Sequence, residues 1–333
     1  MIRPFVASDY SNLANLKNIV DPEWPVSAAL LEHWDKSHNP EHHLTRFVLE
    51  EDNTLVACGE TGHDSHAFEE GKFWLYIQVH PDYRKRGLGK QLYQHLLAHL
   101  EPMRPKLLQV FTSEDKKAGV TWLEREGYTL VWKRYPSKVE TKGFDFSTYE
   151  GLEQTLQRAG IEIKSLAELT DPEANQKLWE LDWILMQDVP MGVTLTKRSF
   201  EQWLKEEVDD PEFVRQACMI ALDSKCNDPL TGNFVGYTSL MRGIGFYGIG
   251  MTGVLENYRG RGIAKALKLA TMRYVQAHGE GEIRTINDPP NRAMLNMNTA
   301  LGFKRQPSYL RFQKALDGRK LEPFTEEKIL SKV

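Results

Sequence analysis

Two stretches of this chain spell nearly the same turn. Val79–Lys90 reads VHPDYRKRGLGK, and Val254–Lys265 reads VLENYRGRGIAK. Val79, Tyr83, Arg84, Arg86, Gly87 and Lys90 each meet the same residue type 175 positions later (262 against 87), and the glycine–aromatic pair Gly127-Tyr128 meets Gly302-Phe303 at the same offset. A match from strand to second glycine without a net gap is an internal duplication. It restricts the chain to two similar units in tandem.

Each repeated stretch reads as the end of a strand, a glycine-rich turn and the start of a helix. After the second turn, Ile263, Leu267, Ala270 and Tyr274 recur at helical spacing with basic residues between them. Such a turn aims several backbone N–H groups at one spot, at the positive end of a helix. Glycine is needed where a side chain would block an anion, and Arg259, Arg261 and Lys265 add charge. One copy alone would pass for an ordinary glycine-rich helix start. Two copies read as two phosphate cradles.

On these residues the chain resembles the GNAT superfamily of acyl-CoA N-acyltransferases. Its signature loop, Arg/Gln-x-x-Gly-x-Gly/Ala between a core strand and a helix, corresponds to Arg84-Lys85-Arg86-Gly87-Leu88-Gly89 and Arg259-Gly260-Arg261-Gly262-Ile263-Ala264. The resemblance covers nearly the whole chain, in a layout similar to that of tandem, mycothiol synthase-like members. It implies two domains, each a mixed twisted sheet flanked by helices, with acetyl-CoA as donor substrate and a small-molecule amine as acceptor.

The 333 residues suffice for two domains with real cores, and a net charge of −4 gives no basic nucleic-acid surface. Cys58, Cys218 and Cys226 lack metal-ligand spacing and read as reduced thiols of a cytoplasmic protein. No metal, membrane or nucleic-acid partner is expected, and the chain is expected to be a monomer or homodimer. His63, Asp64 and His66 form a loop cluster whose ordinary reading is a solvated loop rather than a metal site.

Strand-rich segments alternate with helical ones, an α/β pattern. Ser27–His38 is a helix capped by Ser27, and the Glu51-Asp52-Asn53 turn joins two strands. Thr129–Trp132 is a strand, Lys138–Phe146 completes the first sheet, and Tyr149–Arg158 is a connecting helix ending at Gly160. The expected division is therefore an N-terminal domain over 1–146, a connector over 147–160 and a C-terminal domain over 161–333. The second copy carries an insertion of roughly fifteen residues before its cradle, around Asp188–Gly192 and the helix expected over Lys197–Val208. Gln216–Leu222 is a strand, and Glu322–Val333 is a charged tail with helical character.

Amide formation from a thioester requires a held donor, a neutral amine, a stabilised oxyanion and a departing thiolate. Backbone N–H groups of Arg86, Gly87, Gly89 and Lys90, and of Arg261, Gly262, Ala264 and Lys265, would hold phosphates. The resemblance implies that Val79 and Val254 meet the pantetheine arm and offer an N–H to the thioester carbonyl. The carboxylate that some members carry early in the core strand is absent, since Phe73 and Gly248 stand there. Asp188, Tyr247 acting through a water, and Glu60 in the first copy remain as base candidates, although a surface or structural role is the commoner one for such residues. The family's tyrosine acid is replaced by Leu123 and Asn298. Asn298 can donate to the sulfur, and Asn287 and Asn291 can orient the arm, with helix capping the competing role for Asn291. The first copy has Thr112, Lys116 and Leu123 in these places.

The expected activity is acetyl-CoA-dependent acetylation of a primary amine, with the C-terminal copy catalytic and the N-terminal copy binding cofactor or serving as scaffold. The alternatives are acetylation of a cysteinyl-sugar amine and non-catalytic acyl-CoA binding. Two intact cradles predict that calorimetric titration with acetyl-CoA gives a stoichiometry near two; absence of any binding would remove the cradle reading altogether.

Overall fold

The computed structural model describes residues 1–52, 54–279 and 281–327. Its elements, in chain order, are β1 (Ile2–Pro4), α1 (Tyr10–Val20), α2 (Ala28–Ser37), β2 (Leu44–Glu51), β3 (Thr54–Gly62), β4 (Lys72–Val79), α3 (Leu88–Leu100), β5 (Leu107–Ser113), α4 (Lys117–Arg125) and β6 (Thr129–Glu140). The series continues with α5 (Glu150–Arg158), β7 (Ile161–Ser165), α6 (Ala174–Met186), α7 (Phe200–Trp203), β8 (Met219–Asp223), β9 (Phe234–Gly243), β10 (Phe246–Val254), α8 (Ile263–His278), β11 (Glu282–Asn287), α9 (Arg292–Ala300), β12 (Lys304–Arg305) and β13 (Tyr309–Ala315).

The chain forms two compact units, and neither is continuous in sequence. The first comprises Met1–Arg134, Gly192–Arg198 and the segment from Pro307 onward; the second comprises Tyr135–Met191 and Ser199–Gln306. In the first unit the strand order is β1-β2-β3-β4-β5-β13-β6, with β13 antiparallel to both β5 and the Thr129–Arg134 part of β6. In the second the order is β7-β8-β9-β10-β11, then the Tyr135–Glu140 part of β6, then β12. The last strand of the chain thus completes the sheet of the first unit. The strand that follows the first copy's glycine–aromatic pair runs on to complete the sheet of the second.

This differs from the division expected in sequence order. Thr129–Trp132 is only the first part of a strand that continues to Glu140, and Lys138–Glu140 pairs with β11 rather than finishing the first sheet. Sequence pattern identifies a strand by its period but does not say which neighbour its backbone groups bond. The helix expected over Lys197–Val208 is shorter: Ser199 caps α7, which passes into a π-helical turn at Leu204–Val208, while Lys197 and Arg198 belong to the first unit. The strand expected from Gln216 begins at Met219, after a 3-10 turn. Ser27 caps α2 by accepting from Leu30 N at 3.0 Å. Asn53 and 328–333 lie outside the described residues.

In the first unit Phe47 and Leu49 of β2 face a core with Leu92, Leu96 and Leu100 of α3, while Val48 faces Leu13, Leu16 and Leu31 of α1 and α2. This alternation is the two-residue period of a sheet covered on both faces. Each fully buried leucine contributes about 2 kcal/mol of burial free energy. The second unit repeats the plan, with Leu178, Leu181 and Leu185 of α6 on one face and Leu269, Met272 and Val275 of α8 on the other.

Lys268 on α8 breaks the pattern. It is 1 % exposed, its Nζ has no hydrogen-bond partner, and it lies 5.3 Å from the Phe303 ring centroid. The residues at the same places in the first copy, Tyr93 and Tyr128, bond each other through their hydroxyls at 3.3 Å. Burial pushes the Lys268 ammonium down to about 7. Between that value and the ordinary lysine range the unfolded chain is charged and the folded one neutral, so stability rises with pH across this window and the cost of burial is complete below it. Lys268→Met is expected to stabilise the protein at pH 7 by about 2–4 kcal/mol and to remove the rise between pH 7 and 10. Urea denaturation across that range checks both.

Candidate functional site

The two cradles share their internal contacts. A 3-10 turn precedes each, Pro81–Tyr83 and Glu256–Tyr258. Arg84 Nε donates to Val79 O at 3.1 Å, and Arg259 Nε donates to Val254 O at 3.2 Å. The Arg86 guanidinium lies 4.7 Å from the Tyr83 ring centroid, and that of Arg261 lies 4.8 Å from Tyr258. Both arginines also tie back to the turn, Arg86 to Asp82 O at 3.3 Å and Arg261 to Asn257 O at 2.7 Å.

Gly87 and Gly262 each adopt φ of +83° as the N-cap of the following helix, and neither provides a side-chain cap. That left-handed conformation favours glycine. The first helical bonds run from Gln91 N to Gly87 O and from Ala266 N to Gly262 O. The N–H groups of Leu88, Gly89 and Lys90, and of Ile263, Ala264 and Lys265, therefore have no acceptor within their helices. These groups, with Lys90 and Lys265, form the positive end that can hold phosphate oxygens. The surroundings of the two glycines differ. A Cβ on Gly87 would meet nothing closer than Gln91 Nε2 at 3.9 Å, whereas one on Gly262 would lie 2.6 Å from Leu152 Cδ1.

Each cradle sits below a gap in its sheet. β4 pairs in parallel with β5 over Lys72–Leu75 and then leaves it. β10 pairs with β11 at Tyr247 and Gly248 only. The register of β10 on β9 then shifts between Ile249 and Thr252, a bulge absent from the β3–β4 ladder. Ser239 Oγ accepts from Met251 N at 3.0 Å, and Thr238 Oγ1 donates to Met251 O at 3.1 Å. A Cβ on Gly250 would come within 2.7 Å of Ser239 Oγ, so this approach requires glycine. A bulge re-aims the backbone groups beside it and commonly marks a site. Sequence reading did not identify Thr238, Ser239 or Gly250; the glycine-interrupted strand was the available signal.

The asparagines of the second copy divide between two roles. Asn298, 3 % exposed, donates from Nδ2 to Asn287 Oδ1 at 2.7 Å, and its own Oδ1 is buried without a partner. Asn291 accepts from Met294 N at 3.2 Å and so caps α9. In the first copy Leu123 is core, and Lys116 pairs with Asp21 at 3.3 Å.

The expected bases are placed differently. Tyr247 is 1 % exposed, packed with Leu269, Met272 and Ile283 on the paired part of β10. This burial is at odds with the catalytic role expected for it. Asp188 is exposed and pairs with Arg259 at the cradle. Around it, Gly192–Arg198 belongs to the first unit, where Arg311 Nη2 donates to Gly192 O at 3.3 Å and Thr196 N to His66 O at 2.9 Å. That part of the insertion serves as packing. Burial favours the neutral form of Glu60, but Lys17 at 2.6 Å and Arg46 at 3.2 Å outweigh it and hold the carboxylate below its usual range. So paired, it is a poor base.

Burial pushes the Cys218 thiol up to about 12 and raises that of Cys58, so neither is a thiolate nucleophile. His63 stacks on Phe73 at 4.6 Å and accepts from His43 N at 3.1 Å, an aromatic packing role. Among the described residues no group of three or more His, Cys, Asp and Glu is placed to hold a metal ion, and no helix is long and apolar enough to cross a membrane.

Comparison with known proteins agrees with this geometry. The profile of the Acetyltransferase (GNAT) family matches residues 13–128 and 178–303. A mycothiol acetyltransferase of Stackebrandtia nassauensis is 22 % identical over 293 residues, covering 86 % of this chain and 87 % of that protein. An acetyltransferase of Yersinia pseudotuberculosis is 32 % identical over 108 residues, 32 % of this chain and 67 % of that protein. Among solved structures, a tandem GNAT protein from the clavulanic acid biosynthesis pathway aligns over 96 % of this chain and 99 % of its own, with a TM-score of 0.71 and 18 % identity. A GCN5-related N-acetyltransferase from Sphaerobacter thermophilus covers 97 % of both chains at a TM-score of 0.63 and 18 % identity. With the profile matched twice over a duplicated cradle and a twice-repeated split sheet, the chain belongs to the GNAT family of acetyltransferases, as a tandem member.

Proposed function

We propose that the second copy transfers an acetyl group from acetyl-CoA to the primary amine of a small molecule, and that the first copy binds donor or acts as scaffold. One observation carries this reading: β10 leaves β11 after two paired residues and bulges at once, on the strand that leads into the second cradle. The freed edge of β10 offers backbone donors to a thioester, while the cradle holds its phosphates. β4 stays paired for four residues and has no bulge.

The chain's residues then act as follows. The N–H groups of Ile263, Ala264 and Lys265 hold the donor's phosphates. The edge of β10 that β11 leaves unpaired, up to Val254, aligns the arm and donates to the carbonyl oxygen as the amine nitrogen adds to the carbonyl carbon. The amine loses its proton to solvent, and the carbon–sulfur bond breaks as the carbonyl re-forms. A thiol is acidic enough to leave as thiolate, and in this reading the second amide hydrogen of Asn298, whose Nδ2 already donates to Asn287, is the donor to that sulfur. Much of the rate comes from holding two substrates together, which suits a site whose candidate carboxylates are otherwise engaged. The end-to-end likeness to a mycothiol acetyltransferase makes a cysteinyl-sugar amine one acceptor to try among others.

Thiol release with an amine panel tests the reading. Gly262→Glu sets a carboxylate against the phosphates and is expected to abolish turnover, while Gly87→Glu keeps most of it, both variants remaining folded by circular dichroism. The reverse pattern assigns transfer to the first copy. Asn298→Leu, which copies the first unit, is expected to lower kcat about tenfold with little change in KM for acetyl-CoA. An unchanged kcat removes Asn298 from the chemistry.

A further inference from the structure

The two cradles match in every internal contact compared above and differ in what lies over them. Gly87 and Lys90 are exposed, whereas Gly262 and Lys265 are half-buried. The cover on the second cradle is the start of α5 and the turn before it. Leu152 stands against Gly262, the Tyr149 ring lies 6.0 Å from Lys265 Nζ, and Glu153 pairs with Arg273. Tyr149 also bonds Ala300 O of α9 at 3.3 Å. One short segment thus meets the cradle glycine, a cradle lysine, a second basic residue of α8 and the end of α9.

We propose that Tyr149–Glu153 is a tethered lid on the second cradle, displaced when the phosphorylated nucleotide end of an acyl-CoA binds there. The proposal rests on the acyl-CoA reading of that cradle and adds its regulation. The lid is chemically suited to stand in for such a ligand: Tyr149 is an aromatic ring against a cation, Glu153 an anion on a guanidinium, and Leu152 an apolar cover over backbone N–H groups that would otherwise face water. It is also built to open at one end. Leu156, 3 % exposed, anchors the far half of α5 among Ile161, Val235, Val254 and Ile263, while Leu152 and Tyr149 of the covering half are only partly buried and pack against the neighbouring core clusters from outside. The covering half has no side-chain N-cap and carries Gly151 in its first turn. Glycine and a missing cap both weaken a helical turn, so this turn can unwind while Leu156 stays in place. A lid closed most of the time lowers apparent affinity in proportion to the open fraction.

The test uses the full chain with Gly87→Glu, which confines binding to the second cradle, and free CoA as the probe. Adding Leu152→Ala or Glu153→Gln is expected to tighten CoA binding by about 3–10-fold in calorimetry. CoA is also expected to speed hydrogen exchange at the amides of 150–153 in the chain with an unaltered lid, while those near Leu156 keep their protection. Equal or weaker binding in both lid variants, with amide exchange unaltered by bound CoA, overturns the lid and leaves the donor site standing. If CoA binds the chain with Gly87 intact but none of the Gly87→Glu chains, the second cradle is not a donor site and the lid falls with that reading. Glu153→Gln, at the surface, keeps the test valid should Leu152→Ala lower stability.

Discussion

Each sheet of this protein gives up backbone hydrogen bonds in its middle, and much of the site follows from that break. A buried N–H or C=O without a partner costs about 1–3 kcal/mol, so a parallel pair does not separate inside a core unless something else satisfies the freed groups. In the second unit Ser239 and Thr238 take the N–H and C=O of Met251 at the bulge. What remains along the edge of β10 down to Val254 faces the gap. Glycines at 250 and 253 let β10 approach its neighbours closely: a Cβ at Gly250 would meet Ser239 Oγ of β9 at 2.7 Å, and one at Gly253 would meet Leu185 Cδ1 of α6 at 2.8 Å. The gap is thus a structural cost within the sheet.

The cradles were legible in the sequence because their form is carried by backbone. A turn that needs φ of +83° restricts its residue to glycine, and it does so twice. Strand and helix types followed from period for the same reason. Side-chain roles were less legible. Asp188 sits near the cleft in sequence order but points its charge at Arg259, and Tyr247 looks available until the packing of α8 buries it. Both depend on tertiary neighbours that a linear pattern does not encode. The exchange of final strands was hidden for a related reason, since a strand of suitable period satisfies either sheet.

Comparing the copies shows where a duplicated frame tolerates change. The turn residues hold, while the pair Tyr93 and Tyr128 is answered by Lys268 and Phe303, and Leu123 by Asn298. The first copy filled the space beside its gap with core and ion pairs, Lys116 with Asp21 and Glu60 with Lys17 and Arg46. In the second unit Asn298 Oδ1 is buried without a partner, as Gln78 Oε1 of β4 is in the first. A buried polar atom left unsatisfied is a standing cost, and sites rather than cores retain such costs.

The exchanged strands also bear on how the chain is made. A ribosome releases the first copy long before the second, yet the sheet of the first unit has β13, 309–315, between β5 and β6. The earliest part of the protein to emerge is therefore among the last to be finished. Until β13 is available, β5 presents an unpaired edge, with Leu107, Leu108 and Val110 along it, of the kind that seeks foreign strands. A chain that stops short of β13 loses a strand from the middle of its first sheet.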